Sequence, residues 1–425
     1  MTTTLTFPGV RLHPVRDPVR GERARLNVVV LSTYPPRQCG IGVFAADLCK
    51  SLDDVAPDLD VSVCAVDHEG LRYDREVAWV LDQRDPAAYR RTAADLAAAG
   101  ADAVLIQHEF GIYGGRDGAL IASFAAELSA AGVPYLVTLH TVPAAPTRGQ
   151  ADVLRRLCRG AAAVTVLSPT ARRLAGAAGI GAGWCETIAH GVPEALHQPA
   201  RGPSQASVRP ELARILRELA HRTVLSTFGL LSPDKGLDTA IAAVADLARD
   251  LPDLCYVIAG ATHPEIVRRY GESYRDNLGK LVAELDAADH VRFLDSFLTS
   301  TELAQLLAHT TVFLTPYRSR DQVSSGALAY ALAAGRPVVS TSFFYTEDML
   351  AGGAGLLAEP GDAGAYAAAL RRMLTEPGRL ARAERAAEAA GTGLLWPVVA
   401  HRVAEVIRTA VGRKRPERLP IPYQR

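Results

Sequence analysis

Short apolar runs rich in β-branched residues alternate with longer Ala/Leu/Arg segments of helical period along this chain, and the alternation occurs twice. A run buried on both faces followed by an amphipathic helix is the repeating unit of a parallel sheet, so the pattern predicts an α/β fold with two doubly wound sheets. Strands are expected near residues 27–32, 61–66, 103–107, 135–139 and 163–167, with helices over 43–52, 117–131 and 150–160. A second set of strands is expected near 224–228, 255–259, 291–293, 312–315 and 337–340, with a helix over 237–247. The chain's 425 residues suffice for two hydrophobic cores.

The expected organisation is a mobile tail over 1–25, a Rossmann-like domain over 26–195, a linker over 196–222 that includes a charged amphipathic helix at 211–219, a second Rossmann-like domain over 223–395, a crossover helix over 396–412 and a tail over 413–425. Both ends are rich in Arg and Pro without strand or helix period. They suit solvated tails better than a peripheral contact with anionic lipid.

Lys plus Arg and Asp plus Glu both number 46, so no net field recruits nucleic acid or an anionic bilayer. No stretch reaches the ~18 apolar residues of a membrane span, and the first residues lack a signal-peptide core. Cys39, Cys49, Cys64, Cys158, Cys185 and Cys255 show no C-x-x-C spacing, which argues against a zinc site or a secreted disulfide framework. A cytoplasmic protein is expected. Oligomeric state is not encoded in any of these features.

In open α/β sheets, ligands sit outside the carboxyl ends of the strands. Thr33 to Ala45 contains Gly40 and Gly42 just before a helix, where free amides suit an anion or a polyol. Read as G-x-G-x-x-A with Asp67 further on, the same segment fits dinucleotide binding, and it also fits a loop that merely starts a helix. His108, Glu109 and His140 follow buried strands, and Arg116 lies a little beyond, so all four are candidates for one face of a cleft. Asp58-Leu-Asp60 precedes a strand and reads as ordinary surface rather than a metal motif. Lys235-Gly236 opens a helix and places an ammonium beside free amides, which favours a diphosphate. The stretch 314–339 gives a strand end, a polar loop with Ser324, Ser325 and Gly326 at a helix start, Gly335 at its end and Pro337 before the next strand.

The order of Leu139-His-Thr141, the segment 166–172 (VLSPTAR), the segment 188–192 (IAHGV), Lys235-Gly236 and the segment 331–339 (ALAAGRPVV) resembles the family-four retaining GT-B glycosyltransferases over about residues 27–410. The resemblance implies two Rossmann-like domains facing a cleft, acceptor mainly on the first and nucleoside-diphosphate sugar on the second, with no metal or other cofactor required. It implies that His140, Lys235 and Gln322 serve the reaction. It places Gly40 and Gly42 against the donor diphosphate or the acceptor, Asp321, Ser324, Ser325, Gly326 and Tyr330 against the donor, and Phe293, Leu294, Phe297 and Leu298 along the nucleobase. His108, Glu109 and Arg116 would line the acceptor side.

Three positions depart from that family's pattern. Leu230 stands where an Arg is usual, unless Arg318 or Arg320 substitutes, and Gln322 and Tyr330 stand where two glutamates are usual. The segments 260–264 (GATHP) and 271–275 (GESYR) resemble a subgroup described as mannosyltransferases, which would make GDP-mannose the donor. The missing carboxylates keep two other readings open: a nucleotide-sugar epimerase on the same fold, and a catalytically silent module that binds a glycan or nucleotide sugar.

Overall fold

The computed structural model describes residues 25–180, 184–197 and 208–412. The expected tails therefore lie outside the described residues, apart from Arg25, as does the stretch 198–207 of the linker. Two parallel sheets are present. The first has β1 (Leu26–Ser32), β2 (Leu59–Asp67), β3 (Val77–Asp82), β4 (Ala103–His108), β5 (Tyr135–Leu139), β6 (Ala163–Val166) and β7 (Cys185–Thr187), in the order β3-β2-β1-β4-β5-β6-β7. The second has β8 (Thr223–Phe228), β9 (Leu254–Ala259), β10 (Val291–Leu294), β11 (Val312–Thr315), β12 (Val338–Thr341) and β13 (Gly355–Ala358), in the order β10-β9-β8-β11-β12-β13.

The sequence pattern locates the central strands and misses β3, β7 and β13. Strands β4, β5 and β6 are buried along their whole length, whereas the three missed strands are edges with half-exposed residues. An edge strand is covered on one side only and does not need the continuous apolar run that betrays a central one. The helix expected over 117–131 also begins later, at Ile121–Ala131. Asp117 and Gly118 hold left-handed backbone at φ 55° and 72°, which a right-handed helix cannot include.

Strand order reverses direction between β1 and β4 in the first sheet and between β8 and β11 in the second, so each sheet has its switch point at its centre. The helix Trp396–Gly412 then returns to the first sheet. Trp396, Val399, Ala400, Val403, Ala404 and Ile407 form one apolar stripe buried against the Gly40–Val55 helix. Arg408 seals that return with a bidentate pair to Asp58, at 2.8 and 2.6 Å, which gives the first acid of Asp58-Leu-Asp60 a tethering role at the amino edge.

Candidate active site

The two carboxyl edges face each other and touch. At the first, β1 leads into the Gly40–Val55 helix, whose N-cap Cys39 offers no side-chain bond to the first turn. Its leading amides are therefore free for a ligand. A Cβ on Gly42 would lie 3.4 Å from the Thr33 carbonyl, so this glycine lets helix and strand end approach; Gly40 faces open space. The Asp67 carboxylate accepts from the amides of His68, Glu69 and Leu71 at 2.7, 2.9 and 2.8 Å. That turn occupies the acid on which the dinucleotide alternative depended.

Gln107 and His108 end β4 fully buried. Gln107 Oε1 pairs with His140 Nε2 at 2.9 Å, so with the oxygen accepting, Nε2 carries the ring proton. Glu109 accepts from the Phe110 amide at 2.9 Å and, through a short bond, from the Thr141 hydroxyl. Burial pushes His108 down to about 4, and burial together with the neighbouring His190 and His108 pushes His140 to about 3. Burial likewise lowers His190 to about 4. All three imidazoles are thus neutral near pH 7. Arg116 stands apart, its side chain 95% exposed beside Asp117.

At the second edge, β8 runs to a single 3-10 turn, Pro233–Lys235, closed by Gly236 at φ 60°. A Cβ on Gly236 would fall 2.0 Å from the Pro316 carbonyl, so only glycine lets this turn pack against the exit of β11. The Lys235 ammonium rests 3.8 Å from the centroid of Tyr317 and makes no ion pair among the described residues. Arg318 is bound to Asp238, and Arg320 to Glu347 at 3.2 Å. Both arginines proposed as substitutes at Leu230 are therefore already neutralised by carboxylates.

The loop after β11 is pinned by hydrogen bonds that the Phe344 and Tyr345 amides donate to the Arg320 and Gln322 carbonyls, at 3.1 and 3.0 Å. Asp321 is exposed on it. Val323 is buried in the core of the first sheet. Ser324 Oγ donates to the His140 carbonyl at 2.9 Å, and Ser325 caps the Gly326–Ala333 helix through Leu328. A Cβ on Gly326 would stand 3.0 Å from His190 Nε2. Thr170 adds a second crossing, with its amide and hydroxyl donating to Asp348 at 2.8 and 2.9 Å.

Phe44, His140, His190, Tyr330 and Trp396 form an aromatic cluster between the sheets, with ring centroids 4.7 to 6.5 Å apart in successive contacts. Tyr330 is buried there with its hydroxyl toward Asp47, and burial raises the Asp47 carboxyl to about 6. Within the expected nucleobase segment, Leu294 is fully buried, Leu298 nearly so and Phe293 packs on the core, leaving Phe297 as the ring with open surface at 37% exposure.

Several buried polar atoms near these edges have no partner: Ser32 Oγ, Gln107 Nε2, both His108 nitrogens, Thr315 Oγ1, Tyr317 OH and Tyr345 OH. Such orphans are costly and gather where a ligand or water completes the network.

Residues 208–390 match the model of the family described as "Glycosyl transferases group 1". Across the whole chain, D-inositol 3-phosphate glycosyltransferase 1 of Catenulispora acidiphila is 26% identical, covering 96% of each protein. The sucrose-phosphate synthase of Thermosynechococcus elongatus superposes with a TM-score of 0.72 at 17% identity, covering 91% of this chain and 99% of that one. The second half of the chain is thus similar to the group 1 glycosyltransferases, and the whole chain has the GT-B fold. Anabaena HepE, solved with UDP, has the same fold, at a TM-score of 0.71 and 17% identity over 90% of this chain and 100% of that one. A GDP-mannose-dependent phosphatidylinositol monomannoside mannosyltransferase of Mycolicibacterium smegmatis is 30% identical over 181 residues, which is 40% of this chain and 44% of that protein. The chain thus matches less than half the length of that relative.

The GT-B arrangement brings Ser324, Gly326, His140 and Gln107 together across the cleft, with Lys235 on the second sheet's own edge. Gln107, Phe44, His190 and Asp47 were not singled out from the sequence as site residues. Gln107 could have been found as a polar side chain at the end of an otherwise apolar buried strand; Phe44 and Asp47 look like ordinary positions of an amphipathic helix.

Proposed function

We propose that this chain is a retaining glycosyltransferase that moves a hexose from a nucleoside-diphosphate sugar, GDP-mannose by its relatives, to an acceptor hydroxyl without needing a metal. The observation that carries the reading is Lys235: a cation at the carboxyl edge of the second sheet, held over Tyr317 and paired with no carboxylate among the described residues, while Arg318 and Arg320 are paired. A diphosphate leaving group gains negative charge as its bond to the sugar stretches, and a preorganised ammonium answers that charge. The amides at Ser324 to Gly326 add the positive end of a helix.

In this reading the bond from the anomeric carbon to the diphosphate breaks as the acceptor oxygen approaches from the same face, and the acceptor proton passes to the departing phosphate oxygen. Gln322 hydrogen-bonds a sugar hydroxyl. His140, neutral and oriented by Gln107, positions the sugar. Phe297 offers a surface for the base.

The experiment is Lys235→Ala assayed with GDP-, UDP- and dTDP-sugars, with and without acceptors. Loss of one such electrostatic contact should lower kcat/KM by roughly 100-fold or more. Transfer within a few-fold of wild type would remove the diphosphate assignment. Interconversion of donors without acceptor would instead identify an epimerase, and saturable binding without turnover a silent module.

A further inference from the structure

Among the described residues, no cation acts on the polar side chains at the ends of β4 and β5. His108 is shifted by burial alone; Glu109 is raised by burial and opposed only by Thr141 and the Phe110 amide; His140 responds to burial and to two other imidazoles. No Arg or Lys among the described residues contributes to any of the three. Arg37 spends one guanidinium nitrogen on the Val66 carbonyl and Gln83 Oε1, at 3.1 and 3.2 Å, and Arg116 projects into solvent. The hydrogen-bonding groups at the ends of β4 and β5 are the Gln107 amide, the His140 ring and the joined Glu109–Thr141 pair. Glu109 and Thr141 are half-buried, so both remain within reach, and Gln107 Nε2 still lacks an acceptor.

We infer that the acceptor entering at the carboxyl ends of β4 and β5 is an uncharged polyol, presenting hydroxyls and no phosphate to that edge. The inference rests on the glycosyl-transfer reading above. A hydroxyl donates as well as accepts, so a polyol can donate to the Glu109 carboxylate and to the Thr141 oxygen, whose own proton is already given to Glu109. A phosphate offers only acceptors and brings a charge of about −1.5 to −2, here against a carboxylate and neutral imidazoles that pair with no guanidinium or ammonium among the described residues. In the transfer, the polyol oxygen forms the new bond to the anomeric carbon and its proton leaves on the nucleoside diphosphate. A neutral polyol therefore yields a neutral glycoside.

The test is calorimetric titration of the full chain, alone and saturated with GDP or UDP, with two matched pairs: myo-inositol against inositol 3-phosphate, and methyl α-mannoside against mannose 6-phosphate. The neutral member of each pair should bind at least tenfold more tightly. Equal or tighter binding of the phosphorylated members, or no binding of either neutral one, overturns the inference. Glu109→Gln should narrow the gap by roughly tenfold through better binding of the phosphorylated members, and an unchanged gap refutes the charge argument. Nucleotide binding is read separately in the same titrations. Its absence would sink the donor reading while the comparison of acceptors without nucleotide still decides this one.

Discussion

The hydroxyl of Ser324 donates to the main-chain carbonyl of His140 across the cleft, at 2.9 Å. This one bond joins the loop that precedes the Gly326–Ala333 helix to the exit of β5, so the helix start and the neutral His140 ring are set relative to each other. With the Thr170–Asp348 pair it bridges the two sides of the cleft.

Ser324→Ala should therefore loosen closure more than it loosens the fold. A single neutral hydrogen bond contributes about 0.5–1.5 kcal/mol, or roughly a fivefold change in the balance of closed and open forms. The expected result is a several-fold drop in kcat and a larger radius of gyration by solution scattering, with a urea midpoint near that of wild type. An unchanged scattering profile together with an unchanged kcat would show that the bond does not govern closure.

Gly191 sits where the connection between the sheets passes the last helix. A Cβ there would lie 2.2 Å from the ring of Trp396, which is itself packed against Phe44 at 4.9 Å. The backbone allows alanine, but the space does not. Gly191→Ala should cost about 1–3 kcal/mol in urea unfolding, whereas Gly40→Ala, with nothing within 4 Å of its added carbon, should stay within about 0.5 kcal/mol of wild type. Equal midpoints for the two variants would contradict the packing argument.

Much of this architecture is legible in the sequence because its signals are local. A buried parallel strand must be apolar throughout, and a helix that starts at its end needs glycine or a small polar residue, so β1, β5, β8 and the turns at Gly40, Gly236 and Gly326 can be placed from residue types alone. What is not legible depends on partners distant in sequence. Arg318 and Arg320 look like free cations until Asp238 and Glu347 come beside them. Tyr330 occupies a position read as facing the donor, and only the packing of two sheets turns its hydroxyl toward Asp47. Gln107 acquires its role because His140, on the next strand, lies within hydrogen-bonding distance.

The pair between Arg209 and Glu302 gives a prediction about acid stability at the start of the second half. Arg209 Nε and Nη2 donate to Glu302 at 2.6 and 2.9 Å, and the Thr299 amide donates to the same carboxylate at 2.9 Å. The pair therefore links the Pro210–Glu218 helix to the Ser300–His309 helix through a carboxylate that is only 5% exposed. The Arg209 guanidinium, working against burial, lowers Glu302 from 4.5 to about 2. Because the folded value lies below the unfolded one, the contribution is fully present above about pH 4.5 and is lost as pH falls from there through about 2. At about 1.4 kcal/mol per unit the shift corresponds to roughly 3 kcal/mol. Glu302→Gln should be less stable than wild type by about that amount at pH 7, since it leaves a partly buried guanidinium without its counter-charge. The difference between the two proteins in urea titrations should then shrink steadily between pH 4.5 and 2. A difference that stays constant over that range would place the acid sensitivity in other carboxylates.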